Sequence, residues 1–163
     1  MPKSEPNSFR MIIDLSHPSP DSINDNIHDV FAEVNYSSLS DAIKLVIEVG
    51  KGAFMAKTDI EKAFRILPLQ PEQYHLVCYK WNNLYYHDKA MVMGCRSSCS
   101  LFEKFSTSLE FIARTQGISH MTHYLDDFMF VENLNQSAQI IYIGLHFNPF
   151  VPNSEFLYLN RKL

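Results

Sequence analysis

The chain has 163 residues, of which 46% are hydrophobic and 20% are charged, so it can form one ordinary globular domain with its own core. This composition excludes a disordered chain, and no apolar run approaches the length of a membrane span. A net charge of -4 counts against a nucleic-acid binder, although metal-binding carboxylates would contribute to it. Three cysteines and an N-terminus without an apolar stretch predict an intracellular protein, cytoplasmic or nuclear, without membrane contact.

The first part of the chain predicts a strand, a loop and a helix. Residues 9–15 form a short apolar run typical of a strand, and residues 16–29 are rich in Ser, Pro, Asp and Asn, which predicts an irregular loop. Ser38 can cap a helix, with Asp41 at its third position, and Gly50 can end it. Between these ends, apolar residues recur at helical spacing, namely Ala42, Leu45, Val46 and Val49.

The middle of the chain predicts several strands and one long helix. Strands are expected at residues 53–59, 65–69, 75–81 and 84–92, with a short helical stretch at 60–64. Asn82 and Asn83 are typical of a hairpin turn between the last two of these strands. The long helix is expected at residues 97–116, stopped by Gly117, with an apolar face made of Leu101, Phe102, Phe105, Leu109 and Ile112.

The last part of the chain contains a pair of acids between two strand-prone arms. Asp126 and Asp127 are flanked on both sides by apolar residues, and this pattern predicts a hairpin with the acids at its bend. A last helix is expected at residues 135–146 and a last strand at residues 155–160. The resulting order predicts an α+β protein in which an antiparallel sheet is backed by helices.

Two acidic features could hold a divalent metal: Asp59, at the end of a predicted strand, and the pair at the bend. Nucleotide transfer builds charge on the attacking and leaving oxygens of an in-line displacement, and two cations about 4 Å apart stabilise both oxygens. Magnesium prefers hard oxygen ligands, so a few carboxylates suffice. An aspartate pair alone is more often a solvated turn, but apolar strands around it favour a site because they hold the acids on a rigid scaffold.

Four segments, in order along the chain, resemble the reverse transcriptases of retroelements. Residues 9–15 are similar to a strand of the fingers, and residues 56–64 (AKTDIEKAF) to the strand that ends in a metal-binding aspartate. Residues 91–102 (MVMGCRSSCSLF) resemble the glycine-containing turn and helix that touch the incoming base and the template. Residues 124–127 (YLDD) resemble the Tyr-X-Asp-Asp signature of that family.

The resemblance implies an RNA-directed DNA polymerase that extends a primer with deoxynucleotides, using two Mg²⁺ ions or Mn²⁺ in their place. The implied metal ligands are Asp59, the carbonyl of Ile60, Asp126 and Asp127, and the three aspartates are the implied catalytic residues. The implied nucleotide-binding residues are Lys3 and Arg10 on the triphosphate, Phe64 against the sugar where it excludes a 2′-hydroxyl, Gly94 and Ser98 beside the base pair, and Tyr124.

The resemblance also implies one reverse transcriptase domain over residues 1–163, with partial fingers in 1–52 and the palm in 53–163. The implied partners are an RNA or DNA template with its primer and deoxynucleoside triphosphates; thumb and RNase H regions, absent from this sequence, would be supplied elsewhere. Met93 and Cys99 replace the retroviral Gln and Pro, which favours a gypsy- or DIRS-like element. No Lys follows residues 144–148 (GLHFN), where the family usually has one after the catalytic hairpin.

Two alternatives stay open. A truncated and inactive retroelement remnant would keep the palm fold without catalysis. An unrelated metal-dependent hydrolase could use His120, His123 and Asp126 as a zinc site. Positions 120 and 123 of a strand face opposite sides, however, which makes that chelate poor.

Overall fold

The computed structural model describes residues 11–133 and the backbone of residues 153–157. Within these ranges the protein is α+β, as the sequence predicts. Its α-helices are α1 (Leu39–Val49) and α2 (Ser98–Thr115), and neither is long and apolar enough to cross a membrane. Its strands are β1 (Phe54–Asp59), β2 (Cys78–Trp81), β3 (Leu84–His87), β4 (Met121–Tyr124), β5 (Asp127–Glu132) and β6 (Asn153–Leu157). Short 3-10 helices occupy Asp29–Phe31, Ala63–Ile66 and Pro71–Val77.

Some predictions fall on residues outside the described ranges. They concern Lys3, Arg10, the helix at 135–146 and the segment at 144–148. The expected last strand at 155–160 overlaps β6, which is described as far as Leu157.

The chain divides into two compact units, and neither is continuous in sequence. The first unit comprises Met1–Val34 and Lys62–Phe102, and the second comprises Asn35–Glu61 and Glu103–Leu163. The expected boundary between fingers and palm at residue 52 falls inside the second unit. The division into fingers and palm therefore stays a prediction.

The second unit contains an antiparallel sheet of four strands in the order β4-β5-β1-β6. Along β1, Phe54, Ala56 and Thr58 are buried, and the residues between them lie on the opposite face of the sheet. Helix α1 contacts β4 and β5. Its start confirms the predicted cap, because the Ser38 hydroxyl accepts the Asp41 N–H and the Asp41 carboxylate accepts the Ser38 N–H.

The first unit contains the two-stranded antiparallel sheet β2-β3 and a small core. Asn82 and Asn83 connect the strands with φ angles of 47° and 62°, which confirms the predicted hairpin turn. Leu15, Val77 and Val92 form a buried cluster in this unit, with four partly buried neighbours packed against it, namely Ile13, Ile23, Leu69 and Cys95.

Four expected strand segments are absent from the described residues. Residues 11–15 form no ladder; instead the Leu15 carbonyl accepts a single N–H, that of Asn24, from the following loop. Residues 65–69 begin in a 3-10 helix and reach only an isolated bridge at Pro68, which has no N–H to donate. Residues 75–77 end the 3-10 helix that Pro71 begins, and β3 stops at His87 rather than at residue 92.

Helix α2 confirms the expected long helix, but its buried face differs from the expected apolar one. Phe102 is 0% exposed, whereas Leu101 and Ile112 are exposed. The buried positions include Ser106 and Ala113, and two partly buried glutamates, Glu103 and Glu110, join them. Apolarity alone does not identify this face, because it includes the small Ser106 and two glutamates that pair with His123 of β4.

Arg65→Ala is expected to destabilise the protein by about 2 kcal/mol. The Arg65 guanidinium donates two hydrogen bonds, of 2.6 and 2.9 Å, to Asp88, whose side chain is 5% exposed. Loss of a buried partner costs about 3–5 kcal/mol, and the half-exposed Arg65 reduces that figure. Thermal denaturation should show a melting temperature lower by about 4–8 °C. Arg65→Lys, which keeps the charge but not the paired geometry, should fall in between, and an unchanged melting temperature in Arg65→Ala would contradict the assignment.

Candidate active site

The β4-β5 hairpin places the acid pair at its bend, as predicted. Tyr124 and Asp127 are the last paired residues of the ladder, and Leu125 and Asp126 form the turn between them. Leu125 has a φ of 52°, in the left-handed region that costs a residue with a side chain roughly 1–2 kcal/mol. Backbone strain of this kind concentrates at functional sites.

A second strand ends beside this turn. The buried Ile60 donates its N–H to the Asp126 carbonyl over 3.0 Å, so the end of β1 is tied to the hairpin bend. In the β1-β5 pairing, Asp59 lies directly opposite Asp127. The fold thus brings Asp59, Asp126 and Asp127 to one end of the same sheet, although they are far apart in sequence.

The aspartates at this end of the sheet repel one another electrostatically. Like charges directly opposite each other on an antiparallel sheet are destabilising, because their Cβ atoms are about 5 Å apart. Lys57, two residues before Asp59 on β1, offsets part of this charge, since its Nζ lies 2.9 Å from Asp127 Oδ1. A bound cation would lower the remaining repulsion.

The donor set fits Mg²⁺ or Mn²⁺ by its chemistry, because every candidate ligand is a hard oxygen. As the side chains stand in residues 11–133, no three His, Cys, Asp or Glu groups converge on a point that could hold a metal ion. The sheet register brings the backbones of the implied ligands together, and Lys57 pairs with one of them, so the metal site stays a prediction.

The face of the sheet that carries Lys57 and Asp127 borders a cavity of about 350 Å³. The cavity is bounded by the start of α1 and by residues of β1, β4 and β5, among them Lys57, Tyr124, Asp127 and Met129. The ring of Tyr124 also packs against Tyr36, with centroids 4.7 Å apart. Tyr124 is thus held at the edge of the acidic end of the sheet, with half of its surface exposed.

The other described nucleotide-binding candidates lie in the first unit. Phe64 packs edge-on against Phe102, with ring centroids 5.1 Å apart. Gly94 has a φ of 105°, and a Cβ at this position would collide with the Ile13 carbonyl, so the turn requires glycine. The Ser98 hydroxyl is buried and donates to the Val92 carbonyl over 2.8 Å. Within their unit these residues have packing roles, and their contacts with a nucleotide stay a prediction.

The zinc alternative loses support, because both ring nitrogens of His123 pair with carboxylates of α2. His120 precedes β4 and lies 3.4 Å from Glu132, whereas His123 is buried between Glu103 and Glu110 of α2. Sequence reasoning missed the role of these glutamates. The available signal was their spacing of seven residues on one helix, which places both on the same face.

Comparison with known proteins supports the fold. No family model matches the chain, and no curated protein matches it. Among solved structures, it is similar to the foamy viral protease-reverse transcriptase dRH in complex with double-stranded DNA, with 15% identity, a TM-score of 0.65, and coverage of 97% of this chain and 26% of that chain. It is also similar to the native prototype foamy virus protease-reverse transcriptase, with 19% identity, a TM-score of 0.54, and coverage of 84% of this chain and 17% of that chain.

A third similar structure is the foamy viral protease-reverse transcriptase in complex with double-stranded DNA, at 16% identity and a TM-score of 0.62, over 80% of this chain and 27% of that chain. The chain has a reverse transcriptase-like fold. It spans about a quarter, or less, of the length of the solved structures that it matches.

Proposed function

We propose that this chain is the core of an RNA-directed DNA polymerase that adds deoxynucleotides to the 3′ end of a primer. The observation that carries the proposal is the register of the sheet: Asp59 lies opposite Asp127, and Asp126 occupies the adjoining turn. The reverse transcriptase-like fold adds support. An RNA or DNA template with its primer and deoxynucleoside triphosphates are the proposed partners, and the similar foamy viral structures include complexes with double-stranded DNA and with an RNA/DNA hybrid.

In this proposal each group of side chains has one task. Asp59, Asp126 and Asp127, with the Ile60 carbonyl, would hold Mg²⁺, which would supply positive charge to stabilise the attacking and leaving oxygens. The triphosphate pairs with cationic side chains near the N-terminus, where the resemblance implies Lys3 and Arg10. The resemblance assigns contact with the sugar to Phe64 and contact with the base pair to Gly94, Ser98 and Tyr124.

The direct test is primer extension by the full chain on an RNA template, with and without Mg²⁺. Template-dependent extension that stops when the metal is chelated supports the proposal. Extension on an RNA template would distinguish it from a polymerase that copies only DNA. The absence of extension on either template, at high enzyme concentration and with Mn²⁺ also present, counts against it.

Mg²⁺ is also expected to stabilise the folded chain without any substrate. At a concentration ten times its dissociation constant, a ligand bound only by the folded state adds about 1.4 kcal/mol, which raises the melting temperature by about 3–5 °C. Asp59→Asn should lose this increase. Asp21→Asn, which changes an exposed aspartate in the other unit, should keep it. An equal increase in Asp59→Asn and Asp21→Asn would show that Mg²⁺ acts elsewhere.

A second candidate is a palm that retains the fold but does not catalyse. The Lys57-Asp127 ion pair favours it, because a lysine already neutralises one implied metal ligand. Lys57→Gln separates the two functions. In an active polymerase, wild type and Lys57→Gln should both bind Mg²⁺ and extend primers, whereas in a palm that this ion pair keeps from binding metal, wild type does neither and Lys57→Gln gains Mg²⁺ binding.

A further inference from the structure

The hairpin that carries the acids is attached to α2 by a buried histidine. His123 Nδ1 lies 2.6 Å from Glu110 Oε2, and His123 Nε2 lies 3.0 Å from Glu103 Oε1. The side chains of His123, Glu103 and Glu110 are 6%, 14% and 19% exposed. The imidazole also stacks on Phe128, the residue opposite it on β5, with ring centroids 5.3 Å apart. We call these three charged side chains the His123 clamp.

Both ring nitrogens face a carboxylate, which favours the protonated imidazolium. A carboxylate accepts hydrogen bonds, and only the imidazolium has two N–H donors, one for each carboxylate. Arg114 donates to the remaining oxygen of Glu110 over 2.8 Å, so two cations and two anions balance one another. A neutral His123 would leave one carboxylate facing a lone pair, in a place that water reaches poorly.

The electrostatic surroundings agree with this state. Burial by itself lowers the pKa of His123, but the hydrogen bond to Glu110 and the charges of both glutamates outweigh it and raise the pKa above 6.5. Burial by itself raises the pKa of Glu110, but hydrogen bonds from His123 and Arg114 outweigh it and lower the pKa below 4.5. From β5 the ring is faced by Phe128, which carries no charge.

We infer that His123 is a positioning residue: clamped between Glu103 and Glu110, it holds β4 against α2 and thereby sets the position of the turn that carries Asp126. This inference rests on the proposed function, since the position of the turn matters for catalysis only if the acids act there. His123 immediately precedes Tyr124, the last paired residue of β4 before the turn, so the position of its ring determines where the turn begins.

The pKa shifts of His123 and Glu110 determine how the stability contributed by the clamp depends on pH. A raised pKa of His123 contributes stability that is fully present below pH 6.5 and is lost as the pH rises through the folded-state pKa. A lowered pKa of Glu110 contributes stability that is present above pH 4.5 and is lost as the pH falls through its folded-state pKa. The stability that the clamp contributes is therefore greatest between pH 4.5 and pH 6.5, and it falls as the pH rises further.

The first test measures the turn itself by NMR, in the full chain and without substrate. We expect the His123 ring to titrate above pH 6.5, and the backbone amides of Leu125, Asp126 and Asp127 to shift with the same midpoint. Glu110→Gln should lower this midpoint by about one pH unit, and His123→Gln should abolish the amide transition. A ring that titrates at its ordinary value, or turn amides that do not follow the ring, would overturn the inference.

His120→Gln is the matched control, because His120 also lies next to a glutamate, in the segment just before β4, but at the longer distance of 3.4 Å. It should leave the amide transition of the turn in place. If His120→Gln abolishes that transition as His123→Gln does, the effect is a general one of the hairpin and the clamp has no special role.

The second test compares primer-extension rates of His123→Gln and wild type across pH. If the clamp positions the turn, the rate of His123→Gln divided by that of wild type is roughly one tenth at pH 6. This ratio rises towards one at higher pH, as the wild-type histidine loses its proton. A ratio that is constant with pH indicates a merely structural histidine and overturns the inference. A wild type without extension counts against the proposed function alone, and the amide titration then decides the clamp.

Discussion

Asp126→Asn is expected to reduce primer extension by roughly a thousandfold and to leave the fold intact. The substitution keeps the size of the side chain but removes a negative charge where positive charge must be held in the transition state, and loss of one such electrostatic group costs about a hundred- to a thousandfold. The backbone carbonyl of residue 126, which accepts the Ile60 N–H, is unaffected by the change. Extension rates on an RNA template, measured at saturating Mg²⁺, check this expectation.

Two further measurements make the Asp126 result specific. The melting temperature of Asp126→Asn should stay within about 2 °C of wild type, because the substitution keeps the size of a partly buried side chain. Asp21→Asn, the same chemical change at an exposed residue of the first unit, should extend primers at the wild-type rate. Wild-type extension by Asp126→Asn would remove the acid pair from the chemistry, and with it the proposed polymerase.

Phe64→Val is expected to reduce discrimination against ribonucleotides by roughly a hundredfold. A clash with a 2′-hydroxyl worth about 3 kcal/mol corresponds to that factor, and a shorter side chain removes the clash. The quantity to measure is the ratio of kcat/KM for a deoxynucleotide to that for the matching ribonucleotide. Utilisation of deoxynucleotides should change much less than this ratio.

The control for Phe64 must separate selectivity from packing, because Phe64 contacts the fully buried Phe102. Phe102→Val removes the partner ring and should destabilise the fold by about 2–3 kcal/mol, without widening the sugar site directly. If both valine substitutions change sugar selectivity equally, the selectivity depends on the packing of the pair. If Phe64→Val leaves the ratio unchanged, Phe64 is a packing residue only.

Local signals in the sequence determined several features of this protein. Ser38 and Asp41 begin α1 and Gly50 ends it, because their side chains or backbone freedom satisfy the helix ends regardless of the rest of the fold. Asn82 and Asn83 form the expected turn for the same reason, since asparagine tolerates positive φ angles. The position of the acid pair at a hairpin bend was also predictable. Two apolar, strand-prone segments that flank a short polar pair can pair with each other, which leaves the polar pair at the bend.

Tertiary structure alone decided which residues meet. That Asp59 lies opposite Asp127 depends on β5 pairing with β1 in one register, and a shift of one residue would turn the acids to opposite faces. Residues 65–69 have the composition of a strand but form only a single bridge, between Pro68 and Ala90. A ladder also needs a neighbouring strand, and the local sequence cannot supply one. The His123 clamp depends on β4 lying against one face of α2, and burial of this kind is a long-range property that no local pattern contains.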